Sequence, residues 1–540
     1  MNFIKQYKRA YKANTLKIII SIIFIFSVFL PLLEMIFYID KQSLVKVFKD
    51  ETFLKTLSNS LVAAIISTLI SMMLAYFLSV CIERINIKFK SFFKFMFILP
   101  MLIPSISHGM GLIILFGNNG LITNLLGING SIYGLSGIVM GSVLYTFPIA
   151  FLMISDIMRY EDVSPYEAAK VLGISKPRQF ISISLPYLRK PLISVVFAVF
   201  SLIITDYGVP IIVGGKFTTL PVVMYNEVIG RLNFGRGAVY GCILLVPAVI
   251  AFILDTMNKD KGNSGFVVKQ FIPDNDKKKK IIAYIFCFAI SLITLLPIIA
   301  FLVVAFVKKY PINMTLTFDN LKKAFGLRAG EYLLNSLTIA LFVSLIGVCA
   351  AFFVAYFSAR NKSKSSRFLH LSAILTSAVP GLVLGLSYVL FFKGSFLYGT
   401  LAILIMVNII HFISSPYLMI YNSLSKMNEN LEGVGATLGI SRLRLIKDVF
   451  IPQCKGTLIE MFSYFFVNSM MTISAVSFLS RIVTKPLSLL IVQFEDRLIE
   501  CAAIVSIIIL IVNLLIKLIA FLLKNIGKLK NKNKENSYVK

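Results

Sequence analysis

SPYEAAKVLGISKPRQFISISLP, residues 164–186, lies between two long apolar segments and is itself too polar to enter a bilayer. Ser164 is placed to cap a helix, Pro165 suits its first turn, and Glu167 stands where a reciprocal capping box needs it. Gly173 ends that helix, Ser175 starts a second short one, and Pro186 is expected to stop it as the chain turns back toward apolar sequence. The stretch therefore predicts a bent helical bracket outside the membrane. A second copy stands in the other half of the chain, where positions 430–452 read NLEGVGATLGISRLRLIKDVFIP, which sets Gly439 under Gly173 and Pro452 under Pro186. Leu-Gly-Ile-Ser is identical in both. The second copy is degenerate, with Gly433, Val434 and Gly435 where the first has Glu167, Ala168 and Ala169, and Glu432 one position early.

The surroundings fix what kind of chain carries these brackets. Of 540 residues, 57% are apolar and mean hydropathy is +0.85, too much apolar surface for a water-soluble globule. The formal charge of +29 resides in short loops between apolar runs, so the anionic face of a lipid bilayer is the expected partner and nucleic acid is not. About twelve runs approach the roughly 20 residues needed to cross hydrocarbon. The basic N-terminus, the run 16–38 as a retained anchor and the following loop occupy 1–57, and 58–257 is the first membrane domain. A polar linker, 258–280, follows, then a seventh helix and loop over 281–332. The second domain is 333–523, and 524–540 is a basic tail. With both termini inside, most Lys and Arg fall on the cytoplasmic side, and both brackets face the cytoplasm.

The halves are parallel repeats. Asn59-Ser60-Leu61 matches Asn335-Ser336-Leu337, Pro104 matches Pro380 and Gly109 matches Gly385, all three pairs at one and the same offset in numbering. Pro104 and Pro380 are expected to break the third helix of each half, exposing backbone groups to a pathway or simply kinking it. Asp206 and His108 are further pathway candidates, because ionisable groups in apolar runs rarely face lipid; an interfacial carboxylate and a hydrogen-bonded histidine are the plainer readings. The six cysteines are scattered without a pairing or metal spacing, and no metal site is expected. Gly214-Gly215-Lys216 lacks the earlier glycine and the Ser or Thr of a phosphate-binding loop.

Residues 164–186 resemble the cytoplasmic EAA loop of permeases in bacterial ABC importers: E-A-A, three residues, G, nine residues, then I-x-L-P. Glu167, Ala168, Ala169, Gly173, Ile183, Leu185 and Pro186 fill that pattern. The resemblance implies an all-α membrane protein of the type I importer permease fold, two tandem homologous halves of six helices, in the bacterial plasma membrane. It implies two copies of a separate ATPase subunit gripping Glu167, Ala168, Ala169 and Gly173 in one half and Gly435 and Gly439 in the other, ATP bound on those partners and no cofactor here. It also implies an extracellular solute-binding protein. Fused permeases of this length resemble importers of ferric iron or 2-aminoethylphosphonate, with thiamine and polyamine transporters related. The alternative is an ion-coupled secondary transporter with six-plus-six helices, which leaves the duplicated bracket without a role.

Overall fold

The computed structural model describes residues 17–127, 131–258, 271, 273–361, 363–494 and 497–538. Among them, nine helices are long and apolar enough to cross a membrane, and eleven if each of two bent pairs counts as one span. The twelfth run, expected around residues 458–479, is the helix Lys455–Met471, only 17 residues long because it ends at Thr472. A small antiparallel hairpin, Val307–Lys309 with Asn313–Leu316, provides the only strands among the described residues.

Two compact units form, and they cut across the sequence halves. One gathers the chain up to Asp40, Arg328–Leu489 and the chain from Ile508 onward; the other gathers Lys41–Leu327 and Leu490–Ile507. The extra first helix of each half is thus exchanged. In the former unit, Tyr388 donates to the Ser27 carbonyl (2.7 Å) and Phe26 packs edge-on against Phe391. In the latter, helix Lys277–Ala305 meets Gly111, where a Cβ would lie 2.7 Å from Pro297.

Each unit is built on one long helix, Phe53–Glu83 or Ala329–Arg360. Ser67, Ser71, Ala75 and Ser79 recur every four residues along the first, all fully buried. This stripe of small side chains lets the helix Leu135–Arg159 approach closely, with Ser71 and Thr146 hydroxyls 3.0 Å apart. Val343, Gly347, Ala351 and Ala355 repeat the stripe at the equivalent positions of the second half, and the Phe465 ring lies against Gly347. Larger side chains, among them Phe97, Phe147, Phe151 and Val199, fill the rest of the first core.

The third helix of each half breaks as expected. The chain is extended at Ile103 and Pro104 between a 3-10 turn, Leu99–Leu102, and the helix Ser105–Phe116. At Val379 and Pro380 the two helical pieces diverge by 110°. Gly109 and Gly385 sit just beyond these breaks at close approaches to the segment after the fifth helix: a Cβ would lie 2.9 Å from Ile212 and 2.8 Å from the Ala475 carbonyl.

Candidate functional site: two bracketed elbows

The first bracket is the helix Ser164–Val171, a reversal at Gly173, and a return arm that begins at Lys176. Its start differs from the sequence expectation. The Ser164 amide and hydroxyl both donate to Asp162 Oδ1 (3.0 and 2.8 Å), so Asp162 supplies the acceptor that a capping box would have drawn from Glu167. Pro165 lies in the first turn as anticipated. The reversal is a six-to-one cap: the Ile174 amide donates to the Ala169 carbonyl (2.9 Å) while Gly173 adopts φ +69°. At the second bracket Ile440 donates to the Gly435 carbonyl (2.8 Å) and Gly439 adopts φ +70°. The two elbows are geometrically the same.

Pro186 does not stop the return arm, which runs on through Ile204. A π-turn over Phe180–Ser184 shifts the hydrogen bonding by one residue just before the proline, with Leu185 donating to Phe180, and so absorbs the missing amide. Pro452 follows the equivalent π-turn Ile446–Phe450, where Ile451 donates to Ile446.

At the tips, Val171 and Leu172 are 87% and 75% exposed, and Leu438 and Leu443 are 69% and 73% exposed. Glu167, Ala168, Gly173 and Gly439 share that open surface, and nothing lies within 4 Å of where a Cβ would stand on either glycine. Ala169 and Gly435 instead face inward, Ala169 being 3% exposed and Gly435 lying over Leu445. These two residues hold the elbows together rather than offering surface. Large exposed aliphatic residues thus stand on an otherwise polar segment, at positions the small-residue motif does not mark.

What fastens each bracket was not read from the sequence. Arg84, just past the end of the first long helix, pairs with Glu161, whose other oxygen accepts from the Tyr166 hydroxyl. Tyr166 also reaches Ser184 (2.7 Å), tying the two arms together. The Arg84 guanidinium lies 3.5 Å over the Phe271 ring, and Asp274 exchanges backbone hydrogen bonds with Arg84 and Asn86 (2.8 and 3.0 Å). The described end of the linker is thus pinned to the first bracket; most of the remainder, including Gly262 and Gly265, lies outside the described residues. In the second half, Arg360 donates to both oxygens of Glu432 (2.8 and 2.5 Å) and to the carbonyls of Met427 and Asn428 (2.9 and 2.6 Å), over Phe450. Arg84 and Arg360 are separated by the same offset as the other landmarks of the repeat. Glu432 is therefore not a misplaced Glu167: it holds Arg360 from the place that Tyr166 fills in the first copy.

Burial pushes the Glu161 carboxyl above its ordinary value, against the opposing pull of Tyr166 and Arg84, and burial likewise lowers Arg84. Desolvation thus outweighs attraction in this pair. The folded chain holds a proton on Glu161 more readily than the unfolded one, so this site's contribution to stability falls as pH rises from the ordinary glutamate value through the raised one. Glu161→Gln, a neutral isostere, should accordingly change thermal stability in detergent by no more than about 1 kcal/mol. A loss of several kcal/mol would show that the ionised pair is what the fold requires.

The pathway candidates take definite places. His108 is buried, and its Nε2 lies 3.0 Å from the Pro100 carbonyl. Pro100 is four residues before Pro104, and its carbonyl also accepts from the Ile103 amide (3.5 Å), so the His108 ring bridges the break beside that backbone contact. Asp206, half-buried, accepts from Ser105 Oγ (2.7 Å) and from the amides of Gly208 and Val209 (3.3 and 3.0 Å). It caps the short helix Gly208–Val213 and ties it to the Pro104 break. In the second half Gly381 and Thr472 occupy the positions of Ser105 and Asp206, so the Pro380 break has no counterpart of this carboxylate.

A bent, duplicated bracket on a chain of membrane helices can be compared directly with known transport proteins. The family described as binding-protein-dependent transport system inner membrane component matches residues 75–260 and again residues 347–526. The chain belongs to this family. Both matches include a bracket, and the chain is a fused, two-domain ABC importer permease of the multi-pass inner-membrane type. Among relatives of this permease, a putative ferric transport system permease protein, FbpB 1 of Haemophilus influenzae, is 25% identical over 488 residues, covering 85% of this chain and 77% of the relative. The ferric transport system permease protein FbpB of Actinobacillus pleuropneumoniae is 24% identical, covering 81% and 66%. A thiamine transport system permease protein, ThiP of Brucella abortus, is 28% identical over 141 residues, covering 24% and 26%.

Proposed function

We propose that this permease forms the translocation path for a small solute and is driven by two copies of a separate ATPase that receive its two elbows. The carrying observation is the pair of matched reversals at Gly173 and Gly439, each with an exposed leucine at its tip, Leu172 or Leu438. ATP binds the partner subunits, both termini are cytoplasmic, and an extracellular binding protein delivers the solute. Ferric iron is the favoured solute, supported by the ferric transport relatives that align with most of the chain. 2-Aminoethylphosphonate ranks next, ahead of thiamine and polyamines.

The test is ATP hydrolysis by the permease and its ATPase in liposomes, with candidate binding proteins loaded in turn with ferric iron, 2-aminoethylphosphonate, thiamine or a polyamine. Stimulation by one loaded binding protein, with uptake of its solute, is the expected result. Assembly with the ATPase but no stimulation by any of them would reject binding-protein-dependent import of these solutes.

A further inference from the structure

The two long helices carry the same fastenings at both ends. At the bracket end, Arg84 holds Glu161 and Arg360 holds Glu432. At the far end, the Asn59 side chain donates to the Thr218 carbonyl (3.0 Å) and the Ser60 hydroxyl accepts from the Leu220 amide (2.7 Å). Asn335 donates to the carbonyls of Val483 and Lys485 (2.8 and 3.1 Å), and Ser336 accepts from the Leu487 amide (2.7 Å). The separation of the two fastenings is the same in both helices, Asn59 to Arg84 and Asn335 to Arg360. At 1.5 Å per residue, that is about 38 Å of helix.

Neither helix contains a proline. By contrast, Pro148, Pro191, Pro247 and Pro297 lie inside four of the other long helices. Prolines and glycine-serine pairs are where helices bend sharply, so Phe53–Glu83 and the stretch after Asn335, like the proline-free helix Ile499–Tyr538, have no such bend point. Each is gripped by hydrogen bonds to a bracket at one end and to the loop after the fifth helix, residues 214–220 or 480–487, at the other.

We propose that these helices are struts that carry displacement of each bracket to its far loop, with Arg84 and Arg360 as positioning residues at one end and the Asn-Ser pairs at the other. This rests on the brackets being the ATPase contacts proposed above. In that setting the far loops face the extracellular binding protein, and coupling between two sites is reciprocal: what holds the far loop biases the bracket, and the reverse.

The test uses the full chain with its ATPase in lipid nanodiscs, following amide exchange with and without ATP and vanadate. In the native chain, trapping should change exchange in the brackets and in residues 214–220 and 480–487. Asn59→Ala with Asn335→Ala should keep the bracket response and lose the far-loop response. Arg84→Lys with Arg360→Lys should weaken the far-loop response relative to the bracket response, compared at equal occupancy by the ATPase. Ser60→Ala, which loses the Leu220 bond and a bond within its own helix to the Thr56 carbonyl, and Ser336→Ala, which loses the Leu487 bond, replace the asparagine variants should those fail to insert. A far-loop response that persists in these variants, or that is missing from the native chain while its brackets respond, overturns the strut. Brackets that the ATPase does not protect at all would instead reject the docking reading.

Discussion

Arg360→Ala should melt the second bracket while leaving the membrane helices folded. The side chain is 4% exposed and places its donors on Glu432, Met427 and Asn428 at once. Truncation strands a carboxylate that is 22% exposed and carbonyls just beyond the helix Ser414–Ser425, where a cation is also favoured by the helix dipole. Removing one partner of such a pair costs about 3–5 kcal/mol. A seven-residue helix, Leu431–Thr437, has little else to oppose that loss, since Gly435 is its one buried residue. Amide exchange over residues 431–445 should rise to the rate of an open loop, with the helix Ala329–Arg360 still protected. Lysine should recover only part of the loss, because one ammonium cannot span the positions that the guanidinium fork reaches. Removing Glu432 together with Arg360 should cost less than Arg360→Ala alone. Unchanged exchange in the alanine variant would show that the clasp contributes nothing to holding the bracket.

That clasp also marks the boundary of what the sequence discloses. The brackets were legible because their information is local: a cap glycine, a proline in the first turn and a fixed motif length all fall within the single stretch 164–186. The repeat was legible through the Asn-Ser-Leu, proline and glycine landmarks. Arg84 and Arg360 share that offset and were the available signal for the fastenings, yet a basic residue at the end of an apolar run reads first as a lipid contact. Their glutamates lie 77 and 72 residues away. The small-residue stripes beginning at Ser67 and Val343 were equally available, at a four-residue period that total hydropathy averages out. The exchange of first helices leaves no local trace, because hydropathy marks a run as a span without saying which half it packs against. Asp162 displaced Glu167 from the capping role because an aspartate two residues before an amide closes a shorter ring than a glutamate three residues after it. His108 drew notice as an ionisable group in the membrane, whereas its ring nitrogen meets the Pro100 carbonyl across the Pro104 break.

Gly173→Val combined with Gly439→Val should abolish coupling to the ATPase while leaving membrane insertion intact. Both residues hold φ near +70°, and a left-handed conformation costs an ordinary L-residue about 1–2 kcal/mol, with β-branched side chains worst placed. The space around both is open, so the penalty falls on the backbone reversal rather than on internal packing. Relaxing φ withdraws the Ile174 amide from Ala169 and the Ile440 amide from Gly435, and it turns Leu172 and Leu438 away from the positions that the matched elbows give them. Asparagine tolerates the left-handed region, so Gly173→Asn with Gly439→Asn should retain most of the coupling. The measurement is ATPase retained on washed membranes together with solute-stimulated hydrolysis. Loss with valine and retention with asparagine assigns the glycines to the turn. Equal loss with both assigns them to a docking surface that admits no side chain, and full coupling in the valine variant would remove the elbows from the mechanism.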